Sequence, residues 1–270
     1  MASKVVLITG ASAGFGKASA EHLARIGHRV YGTSRRAKFP HESNSTSFPV
    51  MLPMDVCDDD SVRRAVDFVL AEEGNLDVVV NNAGVGLAGS VEDTSIEEVK
   101  DLFEANFFGA LRVCQAVLPT LRAQGSGLIV NVSSLAGLVT IPFQGFYSAS
   151  KFALESMSDA LRMEVRPFGV NVTLIEPGDF RTNFTSRRIF TDGSDAYRQR
   201  CHQAVSVMEH DEQNGNDPAQ LAELLASIIE RSSPKPRYTV GSRSQRMTVA
   251  LRGFIPSGFM DKAVCKTYKI

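Results

Sequence analysis

Thr9-Gly10-Ala11-Ser12-Ala13-Gly14-Phe15-Gly16 is the stretch whose reading decides the fold of this chain, because of what flanks it. Before it, Lys4-Val5-Val6-Leu7-Ile8 is a short, β-branched apolar run, the pattern of a strand buried on both faces. After it, Ala18, His22, Leu23 and Ile26 recur at three- and four-residue spacing, and Gly27 supplies a helix stop. The glycines permit a tight turn and close backbone approach. The new helix offers free N–H groups and its positive dipole end to an anion. An ordinary glycine-rich turn is the plain alternative, but the strand-turn-helix setting favours an anion site, with a dinucleotide pyrophosphate as the anion.

The same alternation continues outward. Strand-like runs fall at 5–9, 29–34, 49–54, 76–80, 127–132, 170–175 and 237–240, and helical patterns at 15–26, 59–73, 96–123, 146–167 and 217–231. This order predicts a single α/β domain over 1–270, a doubly wound parallel sheet of about seven strands flanked by helices. Leu128-Ile129-Val130-Asn131-Val132 is nearly continuously apolar, as a central strand requires. Residues 183–216 are polar with scattered Phe184, Ile189, Phe190, Tyr197 and Met208; they read as a small substrate lid.

Tyr147-Ser148-Ala149-Ser150-Lys151 places a phenol and an ammonium on one helix face, thirteen residues after Ser134. An ammonium beside a phenol favours the phenolate, so a pKa of about 10 can move toward neutrality. A serine hydroxyl nearby can hold a carbonyl oxygen. The set is suited to interconverting C=O and CH–OH.

With these motifs in order, the chain resembles the short-chain dehydrogenase/reductase family, Rossmann-fold oxidoreductases. Its turn, Gly10, Gly14 and Gly16 with Ser12 and Phe15 between, is that family's glycine spacing. Asp55-Val56 resembles the adenine-contacting acid, and Asn81-Asn82-Ala83-Gly84 the segment beside the cofactor. Asn106, Ser134, Tyr147 and Lys151 match the catalytic tetrad; Pro177-Gly178-Asp179-Phe180-Arg181-Thr182 matches the segment over the nicotinamide. The resemblance implies that Ser134 and Tyr147 hold the carbonyl and Tyr147 passes the proton. It also implies that Lys151 bonds the nicotinamide ribose, while Asn106 holds a relay water by interrupting its own helix.

Strand two ends Tyr31-Gly32-Thr33-Ser34-Arg35 and continues with Arg36, with no acid to bond a ribose 2′-OH. A guanidinium fork with a serine donor suits a 2′-phosphate, so the expected cofactor is NADP(H). That ending, the chain length and the polar loop from Ala37 to Ser47 look most like the branch with 17β-hydroxysteroid and retinol dehydrogenases. The apolar run Leu135 to Phe143, with Phe184 in the lid, predicts a small apolar carbonyl or alcohol substrate contacting Ser134, Leu135, Phe143, Tyr147 and Phe184. Arg187-Arg188 keeps 3-oxoacyl-carrier-protein reduction as the alternative. An NADP(H)-sensing regulator is the non-enzyme alternative. A methyltransferase has no use for Ser134, Tyr147 and Lys151, and an extended-branch epimerase has another glycine turn.

Net charge is −1, which predicts no footprint for nucleic acid or an anionic membrane. Cys57, Cys114, Cys201 and Cys265 are dispersed, and His22, His28, His41, His202 and His210 form no ligand pair, so no metal is expected. Without a leader or a membrane span the chain reads as cytoplasmic. The resemblance implies a homodimer or homotetramer through the helices at 96–123 and 146–167.

Overall fold

A computed structural model describes residues 2–40, 48–182 and 184–270. His41, the Ala37–Ser47 loop from 41 onward, and the first lid residue, Asn183, lie outside the described residues. In chain order the strands are β1 Val5–Ile8, β2 Arg29–Ser34, β3 Val50–Pro53, β4 Val78–Asn81, β5 Leu87–Ala88, β6 Gly127–Val132, β7 Val170–Pro177, β8 Ile189–Phe190 and β9 Arg237–Val240. The helices are α1 Gly14–Arg25, α2 Asp59–Glu73, α3 Ile96–Phe103, α4 Gly109–Gln124, α5 Gly145–Val165, α6 Phe184–Arg187, α7 Asp195–Gln213, α8 Pro218–Ile229, α9 Arg243–Leu251 and α10 Ser257–Tyr268.

Seven strands pair in the order β3-β2-β1-β4-β6-β7-β9, all parallel. Alternate residues of the central strands point to opposite faces, so each strand feeds two cores. Leu7, Val79 and Ile129 join Val66 of α2 and Val117 of α4 on one face. Val6, Ile8, Val80 and Val130 join Leu23 of α1 and Leu225 of α8 on the other. Each fully buried aliphatic side chain contributes about 1.5–3 kcal/mol relative to exposure. The strand order reverses between β1 and β4, and loops at the carboxyl ends of these strands open a crevice there.

The helix at 96–123 is interrupted at Asn106, as the resemblance implied: a π-helical segment, Glu104–Phe108, separates α3 from α4 and carries that residue. Two differences from the sequence reading bear on the site. The 183–216 region is largely helical, because Cys201, Ala204, Val205 and Met208 form a buried stripe along α7. Its short β8 pairs with β5 in a separate two-stranded sheet, which clamps the lid to the segment after β4. Beyond β9 come two helices, α9 and α10, that the periodicity did not announce, and α10 packs against α7.

Candidate active site

The end of β1 is bolted to the end of β4. Thr9 Oγ1 accepts from the backbone amides of Asn82 and Ala83 at 2.9 Å each, and Asn82 Nδ2 donates to the carbonyls of Thr9 and Gly10. This brings the glycine turn against Ala83. Gly10 has φ +66°, and a Cβ there would come within 3.0 Å of the Ala83 backbone. A Cβ on Gly16 would meet Asn82 Nδ2 and the Gly10 carbonyl at 2.5 Å. Both positions therefore exclude side chains, and α1 starts with its backbone close to the crevice. Its first turn has no side-chain cap and no acid, leaving its amides open to an anion.

A second set of bonds fixes α5. Asn81 Nδ2 donates to Asn131 Oδ1 at 2.8 Å, and Asn131 Nδ2 donates to Ser158 Oγ at 2.8 Å. These amides are buried, so an unmade bond would cost roughly 1–3 kcal/mol. Lys151 Nζ, on the same helix, donates to the carbonyl of Val132 at 3.0 Å, and sits 5.8 Å from the Tyr147 ring centre. Ser134 Oγ accepts from the Ala136 amide at 3.1 Å and is near enough to the Tyr147 phenol to favour its ionised form. Asn106 Nδ2 donates to the Val85 carbonyl and to Ser150 Oγ, while its Oδ1 accepts from the Val85 amide at 2.8 Å. The asparagine thus braces the turn after β4 against α5.

Ionisation follows burial. Desolvation pushes the Tyr147 phenol up to about 12, with Ser134 opposing it, and pushes the Lys151 ammonium down to about 8, with Glu155 opposing it. The expected depression of the phenol by the lysine does not follow: burial dominates, and the ammonium is directed to the Val132 carbonyl.

These groups share a cavity of about 1670 Å³, larger than a single drug-sized pocket of roughly 300–1,000 Å³. Gly10, Ser12, Gly14 and Phe15 line one end, with Ser34, Arg35, Arg36, Asp55 and Val56 beside them. Asn82, Ala83, Gly84, Ser134, Tyr147, Lys151, Pro177, Gly178 and Thr182 line the middle. Arg35 and Arg36 are exposed and make no ion pair with a described residue. The room, the open amides and the two glycines without space for a side chain fit a dinucleotide. Gly16 does not face the cavity; it lies behind the turn.

Leu135 and Phe184 form apolar wall beside Tyr147. Phe143 does not: at φ +59° it turns its ring into a cluster with Ala88, Cys201 and Val205 behind the wall. The turned backbone is the reason: Ile141 and Gln144 line the cavity while Phe143 between them points away from it. Sequence reasoning also missed the cavity's far wall, where Gln245, Val249, Met260 and Val264 of α9 and α10 contribute. It missed the charged group under the lid as well. There Arg188, its side chain 3% exposed, pairs with Glu212, which also accepts from Thr185. Asp179 faces Asp211 and Glu212, and its carboxyl is raised to about 6, first by burial and then by those neighbours.

Residues 4–191 match the short chain dehydrogenase family. The chain is 41% identical to 3-ketodihydrosphingosine reductase of Bacteroides thetaiotaomicron over the whole of both chains. It is 32% identical to bovine retinol dehydrogenase 8, over 95% of this chain and 87% of that one. A solved short-chain dehydrogenase from Streptomyces avermitilis shares 33% identity with a TM-score of 0.82, covering 99% of this chain and 96% of that chain. This protein belongs to the short-chain dehydrogenase/reductase family of Rossmann-fold oxidoreductases. Among the described residues, no helix is long and apolar enough to cross a membrane.

Proposed function

We propose that this protein is an NADP(H)-dependent ketoreductase acting on a fairly bulky, apolar ketone or aldehyde and on the matching alcohol in reverse. The observation that carries the reading is the convergence of Ser134, Tyr147 and Lys151 on one cavity that also has the glycine turn at one end and an apolar wall. Similarity along the full chain to a reductase of a long-chain keto base supports the substrate class.

The glycine turn and the start of α1 would hold the pyrophosphate, Asp55 and Val56 the adenine, and Ser34, Arg35 and Arg36 the 2′-phosphate. Lys151 would bond the nicotinamide ribose. The dinucleotide, when bound, supplies the hydride. In the reductive direction Ser134 and Tyr147 donate hydrogen bonds to the carbonyl oxygen. Tyr147 releases its phenolic proton to that oxygen as negative charge develops there. The Lys151 ammonium, close to the ring face, stabilises the phenolate left behind. Asn106 keeps the adjoining turn in place and orders the water that returns a proton to Lys151. Leu135 and Phe184 exclude water from the reacting carbonyl.

Steady-state reduction of a long-chain aliphatic ketone, a steroid ketone, an aromatic ketone and an acetoacetyl thioester tests the assignment. The thioester should rank last in kcat/KM; a thioester ranking first would favour the carrier-protein reading, and dinucleotide binding without turnover would favour a sensor. Exposed Phe108, Phe152 and Met163 on the outer faces around α4 and α5 support a homo-oligomer formed there. Sedimentation velocity checks the stoichiometry.

A further inference from the structure

We infer that the α9–α10 pair is a docking surface for an anionic lipid bilayer, placed at the mouth of the substrate cavity. Each helix has two unlike sides. The inner seam of α9, Gln245 and Val249, and that of α10, Met260 and Val264, line the cavity. The opposite sides carry large apolar groups in water: Met247 is 62% exposed, Phe254 in the connecting turn 86%, and Phe259 69%. Single exposed apolar residues are ordinary, but with Leu251 at 45% four of them fall between positions 247 and 259.

Charge selects the occupant. From Gly241 to Ile270 the chain has six cations, Arg243, Arg246, Arg252, Lys262, Lys266 and Lys269, against a single acid, Asp261. All six residues are exposed, and none forms an ion pair with a described residue. The rest of the chain carries a surplus of acids, so the whole-chain charge of −1 averages over a strongly basic end. Phe259, Lys262 and Lys266 follow helical three- and four-residue spacing, which puts ring and ammonium groups on one side of α10. Basic residues interleaved with aromatic ones are what an anionic interface attracts: rings enter the headgroup layer while the cations stay among the phosphates. A second copy meeting this surface about a two-fold axis would set like charges against each other. The protruding Phe254 favours insertion into lipid over a flat acidic protein surface.

The geometry connects docking to access. Arg252 Nη1 donates to the carbonyl of Leu138, in the turn that follows Ser134, and Gln245 Nε2 donates to Asp179. The helices that would touch the bilayer are therefore anchored to the cavity wall, and an apolar ketone dissolved in lipid reaches the site without crossing water. This inference needs no turnover and stands apart from the choice of ketone.

The test is cosedimentation of the full chain with phosphatidylcholine vesicles and with vesicles containing about one third phosphatidylglycerol. The chain should partition onto the anionic vesicles and be released by salt. Phe254→Ser with Phe259→Ser, and separately Arg246→Glu with Lys262→Glu and Lys266→Glu, should each reduce partitioning at least about tenfold. Both variants should keep their activity on a water-soluble ketone and their thermal transition, since these residues are exposed and outside the site. Absence of binding to anionic vesicles, or unchanged binding by both variants, would overturn the inference. So would a concentration-dependent larger species lost in the phenylalanine variant, or capture of an acidic carrier protein in place of vesicles.

Discussion

The ring of Phe184, the first residue of α6, lies 5.6 Å from the ring of Tyr147 at an interplanar angle of 55°. The phenol that would deliver the proton is therefore covered by the lid, not by the sheet. Arg188 passes beside the same ring and pairs with Glu212 on α7, so the position of Phe184 depends on a buried ion pair.

Replacing Phe184 with Ala removes apolar wall and leaves the acid untouched. KM for a bulky apolar ketone should rise about tenfold while kcat stays within about twofold. Fluorescence titration should show NADPH affinity unchanged. An equal fall in kcat would mean that the ring acts on the reacting geometry itself.

Tyr147→Phe deletes only the hydroxyl. Turnover should drop by a factor of roughly 10² or more, the usual scale for a positioned acid, with cofactor affinity retained. Lys151→Ala should weaken both. Near-normal reductase activity in Tyr147→Phe would displace the tyrosine from its role.

Arg35 is exposed and pairs with no acid among the described residues, and its guanidinium suits a phosphate. Arg35→Ala should weaken NADPH by about ten- to a hundredfold, corresponding to about 1.5–3 kcal/mol for a charge-assisted bond. NADH affinity should not move. Equal dissociation constants for the two dinucleotides in the unaltered protein would refute the NADP(H) assignment.

The pH profile follows from burial. The phenol, raised to about 12, stays protonated through the neutral range, whereas the Lys151 ammonium loses its proton as pH rises through about 8. Reductive kcat/KM should be level near neutrality and fall above about 8, once no ammonium remains to stabilise the phenolate. A profile level to about pH 10 would separate Lys151 from the proton step.

Asp179 gives a stability prediction. Its carboxyl titrates near 6 when folded and near the ordinary 3.8 when unfolded, so the folded state holds the extra proton between those values. Stability from this group is therefore lost as pH rises through that window. Asp179→Asn should melt higher than the unaltered protein above about pH 6, and the advantage should vanish as pH falls toward about 4. Thermal unfolding across this range checks it; a constant difference would implicate the Gln245 bond instead.

The parallel sheet, the glycine turn and the shared helix face of Tyr147 and Lys151 were legible because local rules govern each of them. A strand buried on both faces must be nearly all apolar, as β6 is apart from its bonded Asn131, and a turn at Ala83 admits only glycine at position 10. Spacing alone sets Tyr147 and Lys151 on one helix face. Tertiary structure decided the rest. The stripe on α7 is built partly of small residues among charges, and the inner seams of α9 and α10 face a cavity and stay only half-buried. Neither leaves the continuous apolar period that marks a core helix. The turned backbone that removes Phe143 from the wall, the Arg188–Glu212 pair and the raised Asp179 join residues from separate elements. Sequence determined the machinery that each segment carries, because it depends on residues close along the chain. Which groups shape the substrate's space was settled only by packing, because burial and charge at a point are sums over everything folded around it.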